Sequence, residues 1–422
     1  GYRGLGAMKK LYLVTTGFPY PAKSMETYLE TETQYYDSFD EVNIISLGVR
    51  RKTLGEKRTI NCKCKVNIFP IVFGTKMTYI INGICAFFDR NFYREILELW
   101  KERKLNFRRQ IRLIIYISRA HFDARRAIKT MGLDKKATVK DAVIYSYRFE
   151  YQPYVALLLA RYFDNPTLIS RAHGYDLYEE RNCDQYIPAR RLLLKEFNKV
   201  YLISQDGYDY LADKFPEYKG KMAISRLGTL DNGIEKCENK GKSFRIVSCS
   251  NLVPIKRVDR IISTLSKIKT QRIEWVHFGS GEEESKIKKM ASETLGENVN
   301  AVFEGRVENR KVLEFYRNNA INLFINLSES EGIPVSIMEA MSFSIPCIAT
   351  NVGGTSEIVV NGINGYLIDD EDDEYIAGKV DSIATMNAEG YRQLRDAARN
   401  TWEQKFNAKK NYRVFIEEIK NI

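Results

Sequence analysis

No run of about eighteen apolar residues occurs anywhere in this sequence, so no membrane-spanning helix is expected. The start, Lys9-Lys10-Leu11-Tyr12-Leu13-Val14, has the basic-then-apolar order of a signal peptide, but Thr15-Thr16-Gly17 cuts the run short. A first strand fits it better. Met8 stands where a native start is expected, which makes Gly1 to Ala7 a remnant of expression. Histidine is scarce, with three in the chain, and the seven cysteines are scattered. Cys62 and Cys64 form the only close pair. With no second pair and no histidine beside them, no metal site is expected, and the thiols read as reduced, cytoplasmic ones. No aromatic RNA-binding signature is present, which argues against a nucleic-acid-binding protein. No short internal repeat is visible.

What is present is an ordinary globular composition, 44% hydrophobic and 28% charged, which argues against large-scale disorder. A length of 422 residues suggests two or three domains. The net charge of +11 points to an anionic partner.

Strand and helix patterns alternate most regularly in the C-terminal half. Strands are predicted at 245–252, 273–278, 300–303, 322–327 and 346–350, and helices at 258–268, 282–292, 309–317, 335–343 and 355–360. That alternation predicts an α/β fold with a parallel sheet covered on both faces. Ligands of such sheets bind beyond the carboxyl ends of the strands. The N-terminal half carries weaker strand signals at 11–15, 41–47, 65–69, 142–147, 167–171 and 199–204. The polar, Gly/Asn-rich stretch from Thr229 to Ser243 reads as the hinge. Domains are therefore expected at 8–230 and 244–395, with a helical tail at 396–422. Trp402, Phe406, Tyr412 and Phe415 give that tail an apolar face, able to cap the second domain or to cross back to the first.

The segment richest in chemistry runs from Ser328 to Gly354. Glu331 closes a strand-to-helix loop, and Gly332 allows a ligand close to the backbone. Pro334 suits the first helical position. The free N–H groups that follow, near Val335 and Ser336, can hold a diphosphate without a metal. Glu339, on the same helix, can accept two hydroxyl hydrogen bonds from a ribose. Glutamates eight apart are common on surface helices; what distinguishes these is the ordered frame of strand, Glu-Gly, Pro, Glu and strand around them.

This segment resembles the donor site of retaining nucleotide-sugar glycosyltransferases of family 4 (glycosyl transferases group 1), which have the two-Rossmann-domain GT-B fold. Their Glu, seven residues, Glu signature is matched by Glu331 and Glu339, and Gly332-Ile333-Pro334, Gly353-Gly354 with Glu357, and Ser250-Asn251-Leu252-Val253-Pro254-Ile255-Lys256 match as well. The resemblance implies that Lys256 neutralises the donor diphosphate, that Glu331 holds the sugar and Glu339 the ribose, and that Val335 opens the phosphate-binding helix. Asn251 stands where the family usually has an arginine, and the neighbouring Arg257 is a substitute. Gly279-Ser280-Gly281 and Gly305-Arg306-Val307 extend the match, the second bordering the base. In the first half, His173 within Arg171-Ala172-His173-Gly174-Tyr175 resembles the family's cleft histidine, and Gly17 with Glu26 falls where the family has a loop over the acceptor side. The tail is then expected to cross back.

The resemblance further implies a retaining transferase acting on a nucleotide-sugar donor and a glycan or lipid-linked acceptor of capsule, O-antigen or exopolysaccharide type. Electrostatics stabilises the leaving diphosphate. No cofactor and no metal are required, and the acidic run Asp369 to Glu374 reads as a solvated loop. An epimerase or a phosphorylase on the same fold is the alternative chemistry. Residues 101–129 hold Lys101, Arg103, Lys104, Arg108, Arg109, Arg112, Arg119, Arg125, Arg126 and Lys129, interleaved with apolar residues and preceded by the apolar stretch Tyr79 to Phe88. Two readings stand for residues 79–129: a solvated helix face, or a docking surface for an anionic membrane that would make the protein peripheral on the inner face of the cell membrane.

Overall fold

The computed structural model describes residues 9–21, 26–75, 77–78, 82–234 and 243–422. The supposed start at Met8, the beginning of the apolar stretch at Tyr79, and residues 235–242 of the expected hinge lie outside the described residues. The chain divides into two compact units, one running to Arg226 and including Tyr412–Ile422, the other Leu227–Asn411.

The first unit is built on seven strands: β1 (Lys10–Thr15), β2 (Glu41–Val49), β3 (Lys65–Val72), β4 (Ala142–Ser146), β5 (Thr167–Ala172), β6 (Lys199–Leu202) and β7 (Met222–Ile224). Their order is β3-β2-β1-β4-β5-β6-β7, with parallel pairing throughout. Side chains alternate across the sheet. Leu11 and Leu13 pack into one core and Tyr12 and Val14 into the other. Both faces are covered, which is why the central strands read as continuous apolar runs. Helices begin where Asp89, Asn106 and Ser204 accept a first-turn N–H. The long helix Phe107–Met131 ends at Gly132, whose φ of +65° suits glycine.

The second unit holds β8 (Phe244–Cys249), β9 (Ile273–Phe278), β10 (Val299–Gly305), β11 (Leu323–Asn326), β12 (Cys347–Thr350) and β13 (Gly365–Ile368). Their order is β10-β9-β8-β11-β12-β13, again all parallel. The order reverses between β8 and β11, the point at which such sheets open a crevice. Strands β7 and β13 are absent from the sequence reading; at 3 and 4 residues they are too short to show a period. The predicted helix at 355–360 is instead a 3-10 turn, Gly353–Glu357.

The tail divides. Trp402 and Phe406 belong to a core cluster of the second unit. The last helix, Ala408–Asn421, places Phe415, Ile416 and Ile419 in the first unit's core beside Tyr145 and Tyr201. Phe415 there meets Arg171, whose guanidinium lies 4.1 Å from the ring centre.

Arg171 and Glu26, both expected on the acceptor side, are structural. Arg171 is 0% exposed, ion-paired with Glu32, and donates to Ser225 Oγ at 3.1 Å. A cation withdrawn this far from solvent needs that partner. Glu26 accepts from the N–H groups of Thr16, Gly17 and Phe18 at 2.9, 3.1 and 3.0 Å, so its carboxylate braces the loop after β1.

Replacing Phe415 by alanine should cost the first unit about 3–5 kcal/mol. Denaturant unfolding checks this against Val414→Ala, whose side chain is 58% exposed and whose loss should cost under about 0.5 kcal/mol.

Candidate functional site

The carboxyl ends of β8, β9, β10 and β11 converge on a cavity of about 430 Å³ in the second unit. Its polar lining comes from Ser250, Asn251, Lys256, Arg306, Glu331 and Ser336. After β8 the chain makes a 3-10 turn, Pro254–Lys256, that presents Lys256. After β11 it loops to Glu331 and enters the helix Val335–Ser342. The two loops are tied by a bond from the Glu329 N–H to Ile255 O, 2.8 Å. Lys256 Nζ reaches Glu331 Oε1 at 2.6 Å, and Asn326 Nδ2 donates to the same oxygen at 3.2 Å. Asn326 Oδ1 in turn accepts from Ser328 N and Oγ at 3.1 and 2.6 Å, fixing the strand end.

Pro334 is the cap of its helix, one residue earlier than its sequence position suggested, because its ψ of 115° is extended. The cap has no side-chain acceptor. The first N–H groups, at Val335 and Ser336 beside the cavity, therefore face whatever anion enters it. A Cβ at Gly332 would meet nothing within 4 Å, so the space above it is open. The loop is pressed from beneath by Gly353, where φ is +55° and a Cβ would stand 2.0 Å from Glu331 O. Only glycine fits there.

A buried chain of hydrogen bonds fixes the floor. Trp275 Nε1 donates to Ser248 Oγ at 2.9 Å, Ser248 Oγ lies 2.7 Å from His277 Nδ1, and His277 Nε2 lies 3.2 Å from Ser250 O. Ser250 O also sits 1.8 Å from where a Cβ of Gly279 would be, at a φ of +141°, so this position excludes any side chain. Burial lowers the His277 pKa to about 4. The ring is neutral at pH 7, which the chain requires: Nδ1 accepts and Nε2 donates.

The cavity brings together Asn251, Lys256, Gly279, Arg306, Glu331, Ile333, Pro334 and Val335. Glu339 lies one helical turn further on and accepts from Asn309 Nδ2 at 2.8 Å. Burial raises its carboxyl pKa to about 7, against the pull of the Asn309 hydrogen bond. Gly281 serves packing, since a Cβ there would stand 2.2 Å from Leu252 O. Arg257 is diverted: it adopts φ +48°, pairs with Asp259 at 3.6 Å, and does not line the cavity. Sequence reasoning missed Asn326, Ser328 and the Trp275–Ser248–His277 chain; a polar residue at each strand end was the available signal.

In the first unit, His173 follows β5. Its N–H donates to Asp176 Oδ1 at 2.8 Å, and Nδ1 lies 3.4 Å from Asp176 Oδ2. Its ring packs on Tyr147 at 4.8 Å, and Nε2 is buried without a hydrogen-bond partner. Burial lowers its pKa to about 4, although Asp176 works the other way. Tyr175 beside it is exposed, and Gly17 contributes its N–H to the Glu26 brace.

Two parallel-sheet Rossmann-like units define the GT-B fold class. Residues 232–401 match the family model described as Glycosyl transferases group 1. Over this stretch the chain is similar to the group 1 glycosyltransferases. It is 31% identical over 183 residues to the O-antigen biosynthesis glycosyltransferase WbnH of Escherichia coli, covering 41% of this chain and 50% of that protein. It is 27% identical over 183 residues to the capsular polysaccharide biosynthesis glycosyltransferase CapM of Staphylococcus aureus, covering 43% and 46%. The chain thus spans about half the length of the curated relatives it matches. Anabaena HepE in complex with UDP shares its fold, with a TM-score of 0.64, 15% identity, and 98% of this chain and 100% of that one aligned.

With a folded-state pKa near 4 against an ordinary value of 6.5, His277 takes up its proton more readily when unfolded. Stability from this group is full above pH 6.5 and is lost as pH falls toward 4. It should drop by about 2 kcal/mol between pH 7 and pH 5. Denaturant midpoints at the two pH values measure this, and His277→Asn should remove this group's share of the difference, leaving that of His173.

Proposed function

We propose that the chain is a retaining glycosyltransferase that moves a sugar from a nucleotide diphosphate sugar to a lipid-linked or growing surface polysaccharide. The observation that carries the reading is the Lys256–Glu331 pair at the mouth of an uncapped helix start. A diphosphate arriving there meets the Lys256 ammonium and the Val335 and Ser336 N–H groups, a set that needs no metal. Lys256 then exchanges its carboxylate partner for phosphate, and Glu331 is released to accept sugar hydroxyls. As the sugar–oxygen bond breaks, the same cation and helix start take up the charge that develops on the leaving diphosphate. Glu339, one turn along the same helix, holds the ribose. His173, neutral and with Nε2 unpartnered, is suited to a sugar hydroxyl. O-antigen and capsule biosynthesis, named for the two relatives above, support a surface glycan as product.

A thermal-shift series with UDP-, GDP- and ADP-sugars tests the donor. One of them at a hundred times its Kd should stabilise the fold by about 2.7 kcal/mol. Glu339→Ala should abolish that shift; an undiminished shift removes the ribose assignment.

We further place the enzyme at an anionic membrane surface, on the cytoplasmic side. Among the described residues no helix is long and apolar enough to cross a membrane. The 3-10 turn Gly83–Phe88 instead exposes Phe87 and Phe88. The helix Arg90–Lys101 exposes Tyr93, Leu97 and Trp100, and the helix Phe107–Met131 exposes Phe107, Ile111 and Ile115. The two α-helical sets recur at helical spacing, each on one face. Arg90, Arg94, Lys101, Arg103 and Arg108, all exposed, stand among them. Each cation near an anionic bilayer contributes about 1 kcal/mol, and the aromatic rings suit the headgroup layer. In flotation, anionic vesicles should recover the protein and neutral vesicles should not, and Phe88→Asp with Trp100→Asp should cut recovery several-fold. Equal recovery from both vesicle types would reject the placement.

A further inference from the structure

We propose that Asp37, Cys62 and Cys64 form a binding site for a thiophilic divalent cation, zinc being the one their chemistry fits. The sequence offers Cys62 and Cys64 without further ligands. The fold supplies a third, from 25 positions earlier. One ligand atom from each of the three residues lies within 4.8 Å of the others.

Asp37 stands in the 3-10 helix Thr33–Ser38, between β1 and β2. Cys62 and Cys64 lie at the end of the irregular segment that enters β3 at Lys65, on the edge of the sheet. The Lys63 N–H, between the two thiols, donates to Asp37 Oδ1 at 2.6 Å and so turns the carboxylate toward them. Cys62 Sγ lies 3.5 Å from that oxygen. Zinc bonds sulfur at about 2.3 Å and carboxylate oxygen at about 2.1 Å, and a tetrahedron of those bonds has a sulfur–oxygen edge of about 3.6 Å. The observed Cys62–Asp37 spacing matches that edge, and the remaining ligand atoms lie within 4.8 Å of one another.

The thiols are half-buried and Asp37 is exposed, which leaves the fourth position of a tetrahedron to water. Two thiolates and a carboxylate favour zinc over magnesium or calcium, which require oxygen ligands. Binding is a plain exchange: one Zn²⁺ enters, two thiol protons leave to solvent, and nothing is oxidised or reduced. Once bound, the ion would clip the entry of the edge strand β3 to the β1–β2 connection, closing a loop that no other covalent link spans. The site is separate from the donor cavity, every residue of which lies in the second unit.

The test uses the full chain, reduced and stripped of metal. Cobalt(II) should give a thiolate-to-cobalt charge-transfer absorption that saturates at one ion per chain and that zinc displaces. Cys64→Ser should abolish the band, and Asp37→Asn should weaken zinc at least tenfold in competition with a chromophoric chelator. Zinc should raise the melting temperature of the unmodified chain and leave that of Cys64→Ser unchanged. Absence of the band in the unmodified protein, or equal zinc affinity in Asp37→Asn, overturns the three-ligand site.

Discussion

The ion pair between Lys256 and Glu331 is the interaction on which the proposed donor site depends. It joins the loop after β8 to the loop after β11, at the place where the strand order reverses and side chains no longer fill the crevice. Both partners are partly buried, so each needs the other. That mutual need keeps two charges in place without locking them. In the proposed reading an incoming phosphate takes the lysine and sugar hydroxyls take the carboxylate.

The parts behind this pair are rigid. Glycine at 353 lets one turn press against the backbone of Glu331, and glycine at 279 lets another press against Ser250. The neutral His277 links Ser248 to that same Ser250 carbonyl. A donor site that acts by electrostatics needs its charges and N–H groups aimed before the ligand arrives. The supporting shell is polar, buried and fully joined, which is how such aim is maintained.

The first unit uses cations in two opposite ways. Arg171 is enclosed by Glu32 and the Phe415 ring, and there it locks the last helix into the core. Arg90, Arg94, Lys101, Arg103 and Arg108 remain in solvent among exposed aromatic rings. One cation is thus enclosed against a carboxylate, while others are left in solvent.

Local chemistry alone determined much of this protein. The alternation of strand and helix, the Glu331–Glu339 spacing, the Gly332-Ile333-Pro334 entry and the Lys256 turn were legible, because backbone conformation and periodicity depend on near neighbours. Partnership was decided only by the tertiary structure. Glu331 and Lys256 are 75 positions apart, and Arg171 and Glu32 are 139 apart. Nothing near Arg171 in sequence announces that it is buried, and nothing near Cys62 that Asp37 stands beside it. A side chain's role follows from which distant groups the sheet order sets beside it, and that order emerges from the packing of the whole unit.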